Sequence, residues 1–238
     1  MGSGEEFGGV VDVVGGGLPD SKVTAASTAL MIIDMQCVDA HRDYGIGAAG
    51  QRRGWTDAME YYFGRLETLT IPNIRRILDA CRAGSIPVVH VRVMNLADDS
   101  SDTSWRYKMM GILVPPGSKD AEFIEELAPA KSEVILSKTT SNVFVSTNAD
   151  FVLRNMGIDT LVMTGVVTNN CVESSTRGAG DLGYRVLLVG DACAAWTQEG
   201  HDYSLRHLDH NFALVKTTDQ ILEEIAAATG AAVPAGVA

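Results

Sequence analysis

The chain has 238 residues, 46% hydrophobic and 21% charged, which supplies apolar surface for a core and excludes a disordered tail. Nineteen basic against thirty acidic side chains leave a formal charge of −11, without the cationic footprint that nucleic acid or an anionic membrane surface requires. No apolar run reaches about 18 residues. Glu5 and Glu6, with no basic n-region, do not read as a secretory signal, so the expectation is a cytoplasmic protein with no nucleic-acid or membrane partner.

Residues 1–25 read as a glycine-rich arm. Its Val10, Val11, Val13 and Val14 are apolar enough to pack on a second subunit. From there short apolar runs alternate with helix-length amphipathic segments. Strands are predicted over 28–33, 86–93, 133–136, 160–166, 185–190 and 212–216. Several are apolar without alternation, as strands covered on both faces should be. Helices are predicted over 71–83 (Pro72 near its start), 148–156, 171–182, 200–210 and 218–227. Two polar, aromatic stretches, 37–62 and 94–118, break the alternation and read as long loops after strands, where an open α/β sheet places its ligand. The expected fold is α/β: one three-layer Rossmann-like domain over 26–230, with a six-stranded parallel sheet, helices on both faces and a tail over 231–238.

Cys37, Cys81, Cys171 and Cys193 have neither disulfide-scaffold density nor zinc-ligand spacing. Cys37, Cys81 and Cys193 read as core thiols. Cys171 stands where a strand gives way to a helix, and the macrodipole and free N–H groups there favour a thiolate. The same N–H groups suit a developing oxyanion. Asp34 closes the first strand and Lys138 follows the third. In a parallel sheet, strand ends converge on one edge, which would assemble a nucleophile, a proton shuttle and a cation.

Three segments, TALMIIDMQ, LSKTTSNVF and VMTGVVTNNCVESSTRGAGDLGYRVLLVGDACAA, resemble the isochorismatase-like cysteine hydrolase family. The resemblance implies an Asp34–Lys138–Cys171 triad. It also implies a non-proline cis peptide at Val167–Thr168 and an oxyanion hole from Val167, Thr168 and Cys171. The activity implied is cleavage of a C–N bond in a small amide or ureide through a thioester, with no cofactor, by a homo-oligomer (dimer or tetramer). The family's nicotinamidases carry an Asp-x-His metal set after the second strand. This chain reads HVRVMNLADDSSD there, so no metal is expected, and Asp39-Ala40-His41 after the first strand reads as loop chemistry.

Substrate-binding candidates are Gln36, His41, Tyr44, Arg92, Trp105, Tyr107, Phe144, Asn169 and His210, with Arg92 a possible carboxylate clamp. His201 reads as a structural or rim residue. Competing readings are a vinyl-ether hydrolase of isochorismatase type and a catalytically silent binding subunit. A dinucleotide-binding domain is disfavoured, because DMQCVDAH replaces a G-x-G-x-x-G after the first strand.

Overall fold

All six residues of the first strand are buried. They alternate in which core they enter: Leu30 and Ile32 join one cluster, Ala29, Met31 and Ile33 the other. A strand apolar at every position is therefore one with a packed layer on each face. The computed structural model describes residues 17–230. The greater part of the expected arm, residues 1–16, and the expected tail, 231–238, lie outside the described residues.

In chain order the elements are β1 (Thr28–Ile33), α1 (Cys37–Ala40), α2 (Gly45–Arg53), α3 (Asp57–Arg65), a π-turn (Leu66–Thr70), α4 (Ile71–Ala83), β2 (Val88–Val93), α5 (Trp105–Met110), β3 (Val134–Lys138), α6 (Val143–Ser146), α7 (Ala149–Asn155), β4 (Thr160–Val166), a second π-turn (Thr168–Val172), α8 (Glu173–Asp181), β5 (Arg185–Ala194), α9 (Gln198–Leu208), β6 (Leu214–Lys216) and α10 (Thr218–Thr229). The sheet order is β3-β2-β1-β4-β5-β6, and its pairings are parallel. The order reverses between β1 and β4, and the crevice beyond their C-terminal ends is where such sheets bind ligands.

Helices α4 and α10 cover one face with Ile74, Ile77, Leu78, Ile221, Leu222 and Ile225. Each such side chain contributes about 1.5–3 kcal/mol by leaving water. Helix α10 is set by a capping box, in which Thr217 accepts from Gln220 N and the Gln220 side chain accepts from Thr217 N. Ala149 and Leu153 of α7, Ala179 of α8 and Leu208 of α9 pack the opposite face. A third cluster, Val38, Val93, Tyr107, Val114 and Ala121, ties the 37–62 and 94–118 stretches together over the sheet edge.

Those two stretches depart from the expected loops, since they hold α1, α2, α3 and α5. Their helices are short and rely on tertiary contact rather than periodicity. Lys138, expected beyond the third strand, is its last residue, paired with Val93 of β2. Strand β5 runs four residues further than expected, and β6 is shorter, because Phe212 and Ala213 bond back to Leu208 at the end of α9.

Candidate active site

The chain leaves β1 through Asp34, whose φ of 53° lies in the left-handed region that Asp tolerates better than most residues. Beside it, β4 approaches β1 so closely that a Cβ on Gly165 (φ 109°) would meet Ile33 O at 2.0 Å. Only glycine permits that approach. It brings the segment after β4 next to the segment after β1.

Asp34, Lys138 and Cys171 meet at this edge, 1%, 0% and 5% exposed. Lys138 Nζ lies 2.8 Å from Asp34 Oδ2 and donates to Cys171 Sγ at 3.4 Å. Tyr107 Oη lies 3.3 Å from the same sulfur. Burial pushes the Asp34 carboxyl above its usual range, against the pull of Lys138. The Asp34 charge holds Lys138 protonated, well above an ordinary lysine. Burial pushes the Cys171 thiol up to about 12, although Lys138 lowers it. Desolvation therefore opposes the thiolate that a helix start favours and shifts the sulfur toward its protonated form. A carboxylate made more basic by burial beside a neutral thiol is matched to take its proton.

The non-proline cis bond lies at Val166–Val167, one bond earlier than the expected Val167–Thr168. Thr168 is the first residue of the π-turn that carries Cys171, and its side chain is engaged behind the site. Thr168 Oγ1 lies 2.9 Å from His201 Nδ1, and Arg65 Nη2 donates to His201 Nε2 at 3.0 Å. Arginine cannot accept, so Nε2 is the acceptor and Nδ1–H donates to Thr168. Burial and the Arg65 charge lower His201 to about 4, which keeps this imidazole neutral.

A cavity of about 140 Å³ opens onto Cys171. Its polar walls are Asp39, Tyr107 and Asn170, and its apolar walls are Ile46, Val93, Met110, Ile112, Val167 and Trp196. Of the expected substrate-binding residues, Tyr107 alone lines it. Gln36 is buried and holds β1 to β2, its Nε2 donating to Val93 O at 2.9 Å and its Oε1 accepting from Val93 N at 2.5 Å. Arg92 donates to Ser137 Oγ and Ala121 O, both at 3.1 Å, so it braces the sheet edge and does not line the cavity. His41 accepts from Asp43 N and packs on Tyr44, whose ring in turn faces Lys119. Trp105 is 76% exposed on the outer surface of α5. Phe144 stacks on Tyr184 beside the core. Asn169 is exposed against the start of α9, and His210 is exposed beyond its end. Asn170, one residue from the expected Asn169, is the one that faces the cavity.

Sequence reasoning missed Asp39 and Trp196 as cavity walls, and the Arg65–His201–Thr168 chain. Asp39 carried a signal, since it follows the first strand in a D-x-H run that was set aside as loop chemistry. Burial and the neighbouring Asp34 charge raise its carboxyl to about 8. Ser141 joins the site from LSKTTSNVF, taking a 2.6 Å bond from Arg106 and donating to Asn170 Oδ1 at 3.2 Å. Among the described residues no group of three or more His, Cys, Asp or Glu is placed to hold a metal ion, and no helix is long and apolar enough to cross a membrane.

The isochorismatase domain model matches residues 28–220. The chain is 31% identical to N-carbamoylsarcosine amidase of an Arthrobacter species over 167 residues, 66% of this chain and 61% of that protein. It thus spans less than two thirds of that relative's length. It is 30% identical to ureidoacrylate amidohydrolase RutB of Agrobacterium fabrum over 183 residues, 70% of this chain and 75% of that one. Among solved structures, a cysteine hydrolase from Pseudomonas syringae pv. phaseolicola superposes with a TM-score of 0.74 at 26% identity, covering 89% of this chain and 98% of that one.

Proposed function

The chain belongs to the isochorismatase family of hydrolases, and within it we propose a cysteine amidohydrolase that cleaves the C–N bond of a small amide or ureide through a thioester. The observation that carries this reading is Lys138 Nζ, buried at 2.8 Å from Asp34 Oδ2 and 3.4 Å from Cys171 Sγ at the cavity wall. The amidase names of two relatives support the reaction class.

In the proposed cycle Asp34 takes the thiol proton as Cys171 Sγ bonds to the substrate carbonyl carbon, so no free thiolate accumulates. Charge moves to the carbonyl oxygen, where the backbone N–H groups of Val167, Thr168 and Cys171 receive it. Asp34 then protonates the departing nitrogen as the C–N bond breaks, leaving a thioester. Water attacks that carbonyl with Asp34 as base, and the released sulfur recovers the proton. Lys138 stays charged throughout and keeps the two acids from accumulating uncompensated negative charge. The Arg65–His201–Thr168 chain holds the π-turn so that its N–H groups keep their aim.

The assay is ammonia release from a panel of ureides and small amides, with Cys171→Ala alongside. Release that disappears in the variant supports the reading; release that persists contradicts it. The reading carries a homo-oligomer with it, and light scattering at about 25 kDa, the mass of one chain, would reject that part.

A further inference from the structure

Asp39 brings a carboxyl into the cavity that opens onto Cys171. Its backbone is tied on both sides, with its N–H donating to Gln36 O at 3.2 Å and its carbonyl accepting from the Tyr62 hydroxyl at 3.0 Å. Among the described residues its carboxyl has neither hydrogen bond nor ion pair. The main chain is thus fixed while the side chain faces the space a substrate would fill. A carboxyl without a partner against apolar walls such as Ile46, Ile112 and Trp196 is stabilised by whatever donor a ligand brings.

The surroundings decide the sign of that ligand. Among the described residues no Lys, Arg or His lines the cavity. Lys138, behind Cys171, is already matched by Asp34. Arg92 is turned to Ser137 and Ala121. At the rim, Arg106 is held by two neutral oxygens, Ser141 Oγ at 2.6 Å and Asn170 Oδ1 at 2.7 Å. A volume of about 140 Å³ is also well below the ~300–1,000 Å³ of drug-sized sites, so the far end of a substrate cannot sit remote from Asp39.

We propose that Asp39 sets the substrate class: the amide or ureide cleaved carries a neutral N–H or O–H donor, or an ammonium group, at the end away from the scissile bond, and a carboxylate there is rejected. This rests on the cysteine-hydrolase reading for the bond broken, but not for the selection itself. With Asp39 ionised, a substrate carboxylate would put two negative charges side by side where little water screens them, so the discrimination is fullest above the pH of about 8 to which burial and Asp34 raise this carboxyl. Asp34 and Asp120 already disfavour negative charge at Asp39, and Lys138 offsets them in part.

The test uses three ureas that differ only in their tail: N-carbamoylglycine (anionic), 2-hydroxyethylurea (neutral) and 2-aminoethylurea (cationic). Binding is measured by calorimetry on the Cys171→Ala protein and turnover on the Cys171 enzyme, both at a pH just above 8 where Asp39 is ionised, each with Asp39 and with Asp39→Asn. The neutral and cationic tails are expected to bind about a hundredfold more tightly than the anionic one. Asp39→Asn should shrink that gap to less than about tenfold, and Asp39→Ser gives the same comparison if the Asn variant does not fold. An anionic tail that binds as well as the others would overturn the proposal and assign the tail to Arg106. So would a ranking unchanged in both Asp39 variants, or no binding of any of the three. The expected ranking without turnover would contradict the hydrolase reading and leave the Asp39 assignment standing.

Discussion

Thr168 Oγ1 and His201 Nδ1 lie 2.9 Å apart, so the π-turn that carries Cys171 is fastened to α9 by a neutral imidazole. With Arg65 donating to the other ring nitrogen, His201 is a positioning residue in the proposed cycle. His201→Ala should lower kcat about tenfold with KM within about twofold, because the N–H groups lose aim while the cavity walls stay. His201→Gln keeps a donor toward Thr168 and an acceptor toward Arg65, and it should recover most of the loss. A purely structural histidine would show loss of melting temperature in step with loss of rate.

The same residue gives a pH dependence of stability. His201 is lowered from 6.5 to about 4 by burial and by Arg65. Between those values the unfolded chain binds a proton that the folded chain does not. Its contribution is therefore complete above pH 6.5 and is lost as pH falls toward 4, a swing on the order of 3 kcal/mol. Urea unfolding at pH 7 and pH 4.5 should show a smaller acid loss in His201→Gln than in the unaltered protein. Equal losses would contradict the assignment.

Lys138 and Asp34 are a fully buried pair, so removing one leaves the other uncompensated. Lys138→Met should cost about 3–5 kcal/mol, and a second change, Asp34→Asn, should restore part of it. Thermal melts of the two single variants and the double variant measure this coupling; strict additivity would refute it.

Gly165→Ala places a methyl group 2.0 Å from Ile33 O at a φ of 109°. The expected loss is about 3 kcal/mol or more, and residual folded protein should have low activity, because β1 and β4 must part where Asp34 and Cys171 meet. Circular dichroism melts with a parallel rate assay check both.

The sheet was legible from the chain because several of its six apolar runs lack alternation, as strands packed between two helical layers should. Thr28–Ile33 and Thr160–Val166 matched to the residue. Asp34, Lys138 and Cys171 were legible for a related reason: polar residues just after or at the end of such runs must lie at one sheet edge. The cavity walls were not. They come from 37–62 and 94–118, where helices such as GIGAAGQRR carry no apolar stripe and form by packing on Val38 and on backbone carbonyls. One local signal was overlooked, the Thr56 cap with Asp57 and Glu60 in the first turn of α3. Arg92 and Gln36 do not line the cavity, although polar side chains in or just after buried strands read from sequence as ligand contacts. Here they serve as hydrogen-bonded struts between neighbouring strands and loops. Asn170 rather than Asn169 lines the cavity, a one-residue difference that no periodicity could resolve in a π-turn.

The most direct measurement is an acid-quenched mass spectrum taken during turnover of a ureide or amide, with peptide mapping. An acyl adduct is expected on the peptide bearing Cys171, absent from Cys171→Ala, which should also release no ammonia. Steady ammonia release from Cys171→Ala, or an adduct on Cys37, Cys81 or Cys193 in its place, would contradict it.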